Sequence, residues 1–468
     1  MLIKDTQEWA ENIFGQAELG DPRRTKRLVQ LSNDMAENAL SSIVTACSSP
    51  AKIEAAYRFV RNENIQPDAI ASAGFKHTHD IIQKRPLVLA IQDTTGLTFK
   101  HKVTEELGDV SCSKNENSKT RTLYAHSTLV LDAETETTIG LANQYYFYRH
   151  KKVSGTRDEQ QNRKFEDKET YRWKSCFEEM KANIGDVSNV IDVCDREADI
   201  YEYLDYHIEH HHRFLVRAKE NRVLMEPNSK IKQLVKTSIA QCNYTVDVKQ
   251  RGGRKSRKAN MQLSYQAVSI KKPKKSQGAD SLDVNVIICR EVNDNIEEPL
   301  CWILYSNEVI TSAEDALKIV RYYELRWRIE EFHKVWKTDG TDVEGLRLQR
   351  KNNIKRIAII QAFIAVRLMQ LQEIAQNNEQ AKNISCETCA NKITWQLLWM
   401  KMNKGKEVPS EAPSVYWFYY ALAKFGGWYD SKRNGRVGVK ALYSGWFKLM
   451  DLVDSAEILK SIQQATDL

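Results

Sequence analysis

The strongest constraint on the fold is that strand-like segments concentrate in the middle of the chain, between helical ends. Segments rich in β-branched and aromatic residues recur from residue 86 to residue 306. Residues 1 to about 70 and the stretch after about residue 310 have helical periodicity instead. At 468 residues the chain exceeds the size at which one hydrophobic core stops growing. The sequence therefore predicts an α/β protein with a central sheet and smaller all-helical domains at both ends.

Two of the central segments end in an aspartate. "VLAIQDTT" places Asp93 after an alternating apolar strand, and "NVIDVCDREAD" places Asp195 at the matching position. A buried strand that ends in a carboxylate presents it at the C-terminal edge of the sheet, where open α/β sheets carry their functional sites. A strand-end aspartate is also a common helix N-cap or turn former, so neither residue is specific on its own.

Three further acids lie close to Asp195 in the sequence. Period-two alternation places Asp192 on the opposite face of the strand. Arg196 offers Glu197 or Asp199 an ordinary ion-pair partner. We therefore take Asp195 as the candidate functional acid of this segment.

The segment "YYELRWRIEEFHKVWK" concentrates charged and aromatic side chains in a predicted helix. The helix is expected to begin with Thr311 and Glu314 at capping-box spacing and to end at Asp339 and Gly340. At about 100° per residue, one face carries Tyr323, Arg326, Glu330 and Lys337. A separate apolar stripe is formed by Leu325, Ile329, Phe332 and Trp336. The polar face is either a salt-bridge ladder or a phosphodiester site, in which an acid holds a metal ion and cations hold the phosphate.

Positive charge is unevenly distributed along the chain. The net charge is +7, and the ten cations from Lys249 to Lys275 stand against no acid, so +7 less +10 leaves −3 for the remainder. A near-neutral body with one strongly basic segment is typical of proteins that bind polyanions such as nucleic acid. A solvated hairpin tip explains the charge alone equally well.

A second cationic cluster opens a predicted helix near the start of the chain. In "GDPRRTKRLVQL", Asp21 is the predicted N-cap and Pro22 the first helical residue. The first turns, where the helix dipole favours acids, instead carry Arg23, Arg24, Lys26 and Arg27. This unfavourable placement favours contact with phosphate.

The cysteines and histidines do not indicate a metal site. Nine scattered cysteines in so long a chain predict reduced thiols. Cys386 and Cys389 form a lone CxxC without the second pair that a zinc site requires. The run "HIEHHHRF", from His207 to His212, is predicted to be a solvated approach to a strand, because adjacent imidazoles point in different directions.

We predict a cytoplasmic protein that does not associate with membranes. No apolar run in the sequence approaches the roughly 18 residues of a membrane span. The first residues lack the basic and apolar regions of a signal peptide. Dilute, unpaired cysteines agree with a reducing compartment.

Several motifs follow one another in an order that is far more specific than any one of them. The spacing Tyr323-x2-Arg326-x3-Glu330-x6-Lys337 is joined by "QDTT" and "CDREADI". "GDPRRT" and "AYRFVRN" lie near the start, "RFLVRAK" in the middle and "GGWYDSKRNG" near the end. Over nearly its whole length the chain thus resembles bacterial insertion-sequence transposases, in the group similar to the transposon-five transposase, whose YREK signature has this spacing.

The resemblance implies a DDE enzyme with an RNase H-like mixed-sheet core and an antiparallel β insertion. Carried across residue by residue, the catalytic triad is Asp93, Asp195 and Glu330. Phosphate-binding roles fall on Tyr323, Arg326 and Lys337. The other motifs imply DNA contacts for their cations, which are Arg23, Arg24, Lys26, Arg27, Arg58, Arg61, Arg217 and Lys219.

The resemblance also implies a domain order. Residues 1–70 would bind the transposon end, residues 71–370 would form the catalytic domain, and residues 371–468 would dimerise. The β insertion would occupy about 240–305, around the basic segment.

Three converging carboxylates repel one another unless divalent cations neutralise them. Hard oxygen ligands together with substrate phosphates favour Mg²⁺ or Mn²⁺. Two ions per active site, roughly 3.5 to 4 Å apart, would activate water or a 3′-hydroxyl and stabilise the leaving oxygen. The family implies cut-and-paste transposition of double-stranded DNA by a synaptic homodimer, with end nicking, hairpin formation and opening, and strand transfer into target DNA.

Trp302, in "EEPLCWILYSNEV", would by composition belong to the core. The resemblance implies another role, because the transposon-five type carries at a similar place a tryptophan that stacks on a base flipped out of the transposon end. Two alternatives to a transposase also stay open. One is an RNase H-like metal-dependent nuclease, and the other is a catalytically silent DNA-binding regulator or inhibitor of transposition.

Overall fold

The computed structural model describes residues 6–39, 42–47, 49–108, 119–150, 163–226, 229–248, 256–293, 296, 299–376, 378–431 and 437–466. Their contacts divide the chain into two units. Unit 1 comprises Met1–His77, Gly96–Leu123 and Glu330–Leu468. Unit 2 comprises Thr78–Thr95 and Tyr124–Ile329.

The strands occupy the middle of the chain, as predicted. They are β1 (Val88–Phe99), β2 (Arg121–Asp132), β3 (Thr138–Phe147), β4 (Val190–Cys194), β5 (Arg213–Arg217), β6 (Cys242–Val248), β7 (Arg257–Lys271), β8 (Ser281–Glu291) and β9 (Cys301–Ser306). Together they form one nine-stranded sheet with the order β3-β2-β1-β4-β5-β9-β8-β7-β6. β4 pairs in parallel with both β1 and β5, whereas β2 and β3 are antiparallel. The predicted mixed sheet is therefore confirmed.

The strands predicted around the basic segment form an antiparallel run. β6 pairs with β7, β7 with β8, β8 with β9, and β9 with β5. Along β6, half-buried and exposed residues alternate, which is the pattern of a strand with one face in water. The predicted antiparallel excursion is confirmed, and it extends the same sheet.

The helices in the described ranges lie mainly before and after the strands. They are α1 (Thr6–Phe14), α2 (Pro22–Glu37), α3 (Ile43–Cys47), α4 (Pro50–Arg61), α5 (Pro67–Ile82), α6 (Arg172–Ile184), α7 (Tyr201–Glu209), α8 (Ile231–Thr237), α9 (Ala313–Leu325), α10 (Trp327–Lys334), α11 (Lys351–Gln376), α12 (Asn378–Asn383), α13 (Lys392–Met402), α14 (Val415–Phe425) and α15 (Val439–Thr466). The prediction of helical ends around a strand-rich middle is thus confirmed for this part of the chain.

The core of unit 2 forms where α6 and α7 cover the sheet. Trp173 and Phe177 of α6 are fully buried in one apolar cluster with Val190 of β4 and Tyr203 of α7. The apolar residues of β1 and β4 are buried throughout their paired stretch, which is the pattern of parallel strands covered on both faces. This burial fixes the part of β1 that leads to Asp93 and the strand β4 that precedes Asp195.

Helix α11 is the core helix of unit 1. Its stretch Lys351–Ile374 is long and apolar enough to cross a membrane, so the prediction that no run approaches such a length is wrong. However, 72% of its most apolar window is buried inside the protein. The ring centres of Phe363 and Phe14 lie 5.5 Å apart. A Cβ on Gly74 would come within 2.2 Å of the Phe363 ring. The apolar length of α11 is thus explained by helices that surround it.

Arg356 ties α11 to the end of α4 within unit 1. It is 1% exposed, and its guanidinium donates to the carbonyl oxygens of Val60 and Ile65 at 2.8 and 2.7 Å. A third bond goes to the side chain of Asn353 at 2.8 Å. Because α4 ends at residue 61, the carbonyl of Val60 has no acceptor role left within the helix, and Arg356 donates to it. The carbonyl of Ile65, in the loop after α4, receives the second bond.

Arg356→Met should destabilise unit 1 markedly. The long apolar side chain fills the space, but the carbonyl groups of Val60 and Ile65 lose their donor, and each buried orphan costs about 1–3 kcal/mol. Thermal unfolding followed by circular dichroism should show a lower melting temperature. Arg350→Met is the matched control, because its pair with Glu106 leaves Arg350 mostly exposed and exposed pairs contribute little. Equal melting temperatures for the two variants would contradict this assignment.

Candidate active site

Asp93 lies within β1, which runs on to Phe99, whereas Asp195 directly follows β4. The prediction that Asp93 ends its strand is therefore wrong. The last residues that β1 and β4 pair are Ile91 and Val193, so each aspartate lies two residues beyond that pair. Asp195 is the N-cap of a short 3₁₀ turn, and its carboxylate accepts from the backbone N–H of Glu197 at 2.7 Å. Unit 2 therefore carries two carboxylates on neighbouring segments, just past the paired stretch of β1 and β4.

Asp192, three residues before Asp195, has a different environment. It is fully buried and accepts hydrogen bonds from the side chains of Gln92 at 2.8 Å and Tyr203 at 2.5 Å. Asp195 is only half-buried. The prediction that the two aspartates lie on opposite faces of the strand therefore agrees with their burial, and Asp192 belongs to the core.

Glu197 and Asp199 pair with arginines that lie far away in the sequence. Glu197 lies 2.8 Å from a guanidinium nitrogen of Arg172. Asp199 is buried and pairs with Arg222 at 2.5 Å. The prediction that Arg196 partners one of these acids is wrong, because the fold brings in Arg172 from α6 and Arg222 from the loop after β5.

An arginine and a tyrosine of the predicted site lie beside the aspartates in unit 2. A guanidinium nitrogen of Arg326 is 3.8 Å from a carboxylate oxygen of Asp93. The guanidinium carbon of Arg326 lies 5.9 Å from the ring centre of Tyr323. Burial raises the pKa of Tyr323, while the positive charges of Arg326 and Arg217 oppose that rise and the charge of Asp195 adds to it. These five side chains therefore form one electrostatic cluster.

Trp302 lies next to this cluster. It occupies β9 opposite Cys289 of β8, and its ring centre is 6.5 Å from that of Tyr323. Its side chain is half-buried rather than enclosed. Part of the indole can therefore be reached from outside the protein.

Lys337 is held within unit 1 by oxygen acceptors. Its Nζ donates to the carbonyl of Gly96 at 2.7 Å and lies 3.5 Å from a carboxylate oxygen of Glu344. Glu344 also accepts from the backbone N–H of Thr98 at 2.7 Å. Two segments of unit 1 therefore fix the position of the Lys337 ammonium group.

Glu330 lies in the first turn of α10 and is half-buried. It belongs to unit 1, whereas Asp93, Asp195, Tyr323 and Arg326 belong to unit 2. The grouping of Glu330 with the two aspartates stays a prediction.

The predicted catalytic helix is less regular than its sequence suggests. It begins one residue later than expected, because Ser312 is the N-cap and forms the capping box with Asp315, while Thr311 only adds bonds to that carboxylate. The helix breaks at Arg326 and becomes a π-helix over Val335–Asp339. The assumption of one regular helix is therefore wrong, and the common polar face stays a prediction. The predicted apolar stripe is nevertheless buried, with every member at most 4% exposed: Leu325, Ile329, Phe332 and Trp336.

The aspartate pair fits divalent cations by its donor chemistry. Carboxylate oxygens, such as those of Asp93 and Asp195, are the hard ligands that Mg²⁺ and Mn²⁺ prefer. Within the described residues, no three His, Cys, Asp or Glu side chains lie together closely enough to hold a metal ion. Asp93 and Asp195 would thus supply two ligands of such a site.

The histidine run divides into buried and exposed residues. The prediction of a solvated run agrees with the exposure of His210 and His211 but is wrong for His207 and His212. His207 is fully buried with Nε2 3.2 Å from a carboxylate oxygen of Asp192, and its ring centre lies 4.8 Å from that of Phe177. Burial, together with the neighbouring imidazoles and Lys181, lowers the pKa of His212 to about 4. The two buried imidazoles therefore pack against Phe177 of α6.

The basic segment is only partly within the described residues. Lys249, Arg251, Arg254 and Lys255 lie outside them. Arg257 makes two hydrogen bonds of 2.8 and 2.7 Å to Glu291 across β7 and β8, and Lys272 pairs with Asp280 at 2.7 Å. These two cations therefore stabilise the strands that carry them. Every cysteine in the described ranges is a free thiol, as predicted, and Cys112 lies outside those ranges.

The cations at the start of α2 differ in how they are engaged. Asp21 is the N-cap, as predicted, and Arg23 lies 2.8 Å from its carboxylate although the arginine side chain is 91% exposed. Arg24 donates to the carbonyl of Leu19 at 2.9 Å. Lys26 is exposed and Arg27 half-buried. The acid at the N-cap thus offsets part of the repulsion between these cations and the helix dipole.

Sequence analysis missed a groove of about 1010 Å³ in unit 1. Residues of α3, α4 and the loop before α11 line it, and the cations among them are Arg61, Arg347, Arg350, Lys351 and Arg356. The dense charge of "RLQRKNNIKR" was the available signal. Of the other motif cations, Arg58 pairs with Glu54 on an exposed face, and Arg217 donates to the carbonyl of Cys301 at 3.4 Å. Lys219 is exposed after β5.

Two families of known proteins match this chain. Residues 6–65 match the family described as Transposase DNA-binding. Residues 173–367 match the family described as Transposase DDE domain, a range that includes Asp195 and Glu330 but not Asp93. The mixed sheet with helical flanks is thus the RNase H-like core that a DDE transposase domain implies.

One similar solved structure is that of the piggyBac transposase in a synaptic complex with hairpin DNA. It covers 92% of this chain and 84% of its own, at 11% identity and a TM-score of 0.41. A likeness this distant adds nothing to the interpretation of individual residues.

Replacing Arg23, Arg24, Lys26 and Arg27 together by Gln should weaken DNA binding and flatten its salt dependence. Each phosphate contact that is lost should reduce the slope of log affinity against log salt by about 0.9. Residues 1–70 carry 8 cations and 10 acids, so any effect arises from local clustering rather than net charge. Fluorescence anisotropy at several salt concentrations measures it.

The matched control replaces three exposed cations outside the DNA-binding match, Lys401, Lys404 and Lys406. The control should leave the slope nearly unchanged. If the α2 variant keeps the wild-type slope, these cations are solvated and do not contact DNA.

Proposed function

We propose that this chain, which carries a DDE transposase domain behind a transposase DNA-binding domain, catalyses cut-and-paste transposition of DNA. The steps are end nicking, hairpin formation, hairpin opening and strand transfer into target DNA. The observation that carries the proposal is that Asp93 and Asp195 each lie two residues beyond the last pair of the β1 and β4 register, with Arg326 3.8 Å from Asp93. The ordered motifs further favour the group similar to the transposon-five transposase.

Asp93, Asp195 and Glu330 would hold the metal ions. When bound, two Mg²⁺ or Mn²⁺ ions activate the attacking oxygen and stabilise the leaving oxygen of a phosphodiester. The carboxylates of Asp93, within β1, and Asp195, directly after β4, supply negative charge on neighbouring segments, so the ions and the scissile phosphate would meet there. Hydrolysis and strand transfer would differ only in whether water or a 3′-hydroxyl attacks.

The cationic and phenolic groups of the cluster would bind the phosphate. Arg326 and Arg217 present guanidinium donors beside Tyr323, and a planar fork of donors suits phosphate oxygens. Burial raises the pKa of Tyr323, so its hydroxyl stays protonated at neutral pH and can donate. Lys337, held by Gly96 and Glu344 in unit 1, would add a point charge to the same substrate.

The remaining regions would bring DNA and a second copy together. Residues 1–70 would recognise the inverted repeat at the transposon end, residues 71–370 would carry the chemistry, and residues 371–468 would join two protomers. The cation-lined groove of unit 1 contains residues of both matched regions, which supports a path for the DNA backbone along it. The protein would act in the cytoplasm on double-stranded DNA.

Replacing Asp93, Asp195 or Glu330 singly by Ala should abolish Mg²⁺-dependent cleavage of DNA that carries the inverted repeats flanking the gene. End binding should stay nearly intact, because each carboxylate serves a metal ion and not the DNA. Gel assays of cleavage and anisotropy of binding measure the two properties. Glu209→Ala, an exposed acid at the end of α7, is the control and should cut normally. A triad variant that cuts at the wild-type rate would remove that residue from the active site.

Trp302→Ala should still fold and nick DNA but form hairpins slowly. Unstacking a base costs a few kcal/mol, and stacking it on an aromatic face recovers about 1–3 kcal/mol, so one side chain decides the balance. An abasic site at the flipped position should partly rescue the variant, and Trp302→Phe should retain most of the hairpin rate. Melting temperature, nicking and hairpin formation are measured on the same preparation. Equal loss of all three would show that Trp302 serves only the core.

A further inference from the structure

Buried polar side chains link β1 to β4 just before the aspartate pair. The side-chain amide of Gln92 donates to a carboxylate oxygen of Asp192 at 2.8 Å and lies 3.0 Å from the hydroxyl of Tyr203. Gln92 and Asp192 are both 0% exposed. Gln92 directly precedes Asp93 in the chain, so this contact fixes β1 against β4 one residue from the first candidate ligand.

A second link joins the same two segments just after the aspartate pair. Arg172, 6% exposed, donates through Nε to the hydroxyl oxygen of Thr94 at 3.1 Å and through a terminal nitrogen to Glu197 at 2.8 Å. Thr94 directly follows Asp93, and Glu197 follows Asp195 by two residues. The guanidinium group of Arg172 thus connects Thr94 of β1 to Glu197 in the turn after β4.

His126 of β2 connects the two links. Its Nε2 lies 2.9 Å from the side-chain oxygen of Gln92, and its Nδ1 lies 2.8 Å from the hydroxyl of Thr94. The Gln92 amide nitrogen donates to Asp192, so the Gln92 oxygen is the atom that accepts a hydrogen bond from the Nε2–H group of His126. The remaining ring nitrogen then accepts from the Thr94 hydroxyl, whose oxygen accepts from Arg172. His126 thus joins the Gln92 link to the Thr94 link.

These side chains form a bracket around the aspartate pair, made of Gln92, Thr94, His126, Arg172, Asp192 and Glu197. Apolar residues would fill such a space without the cost of desolvating a carboxylate, an imidazole and a guanidinium. A connected polar network, in contrast, holds one arrangement and resists small shifts. The bracket connects β1 to β4 both before and after Asp93 and Asp195. A displacement of one strand relative to the other at this place would change the distance between the two carboxylates.

We propose that the bracket positions Asp93 and Asp195 to share a divalent cation, and this rests on the function proposed above. Its members touch neither substrate nor metal, so they are positioning residues. Groups that orient metal ligands typically change metal affinity or activity by about 10–100-fold when they are removed.

Thr94→Val and Thr94→Ser form a matched pair for the test. Val keeps the shape but removes the hydroxyl that Arg172 and His126 share, whereas Ser keeps the hydroxyl. Mn²⁺ is titrated into the full chain without DNA and followed by electron paramagnetic resonance. Thr94→Val should weaken Mn²⁺ binding by about tenfold or more, and Thr94→Ser should bind close to wild type. Asp93→Asn should remove the site.

A purely structural bracket would lower the melting temperature of Thr94→Val but leave Mn²⁺ affinity of the folded protein unchanged, which would overturn the proposal. A wild-type chain that binds no Mn²⁺ at Asp93 would overturn it as well. If Thr94→Val does not fold, Glu197→Ala replaces it, because that side chain is 60% exposed and its loss opens only one link. Mn²⁺ binding that depends on Thr94 in a chain that never cleaves transposon ends would uphold the bracket and reject the transposase activity.

Discussion

The parallel pairing of β1 with β4 is the constraint on which the candidate site depends. The register that pairs Ile91 with Val193 places Asp93 and Asp195 each two residues beyond that pair. A slip of one residue would turn every following side chain to the other face of the sheet. Buried apolar residues fix this register from both faces, and the contact of Gln92 with Asp192 marks it with a polar pair that only one alignment satisfies.

Arginines balance charge around the aspartates. Arg326 lies 3.8 Å from Asp93, and Arg172 reaches both Thr94 and Glu197 from α6. A guanidinium group offers several donors in a fixed plane, so one arginine can hold two segments at once. The same property suits the bidentate binding of phosphate, and this explains how structural and substrate-binding cations can share one edge of the sheet.

Unit 1 is built around α11, a helix that is apolar on nearly every side. α11 is buried by the helices before it and by the segment that carries Trp336, whose indole N–H donates to the carbonyl of Ala358 at 3.0 Å. Arg356 adds a buried cation that is satisfied by backbone carbonyls. Composition alone cannot separate such a helix from a membrane span, because both need a long apolar run and differ only in what covers it.

The sequence by itself determined the features that depend on neighbouring residues. Alternation and helical periodicity indicated the strand-rich middle, the buried stripe from Leu325 to Trp336 and the place of Asp195 after its strand, and Asp21 with Pro22 marked the start of α2. Only the tertiary structure decided which distant residues meet: Arg172 with Glu197, Arg222 with Asp199, and the imidazole of His207 with Phe177. Local patterns follow from backbone geometry within a few residues, whereas these pairings require packing that joins segments separated by up to about 30 residues, for which the sequence carries no periodic signal.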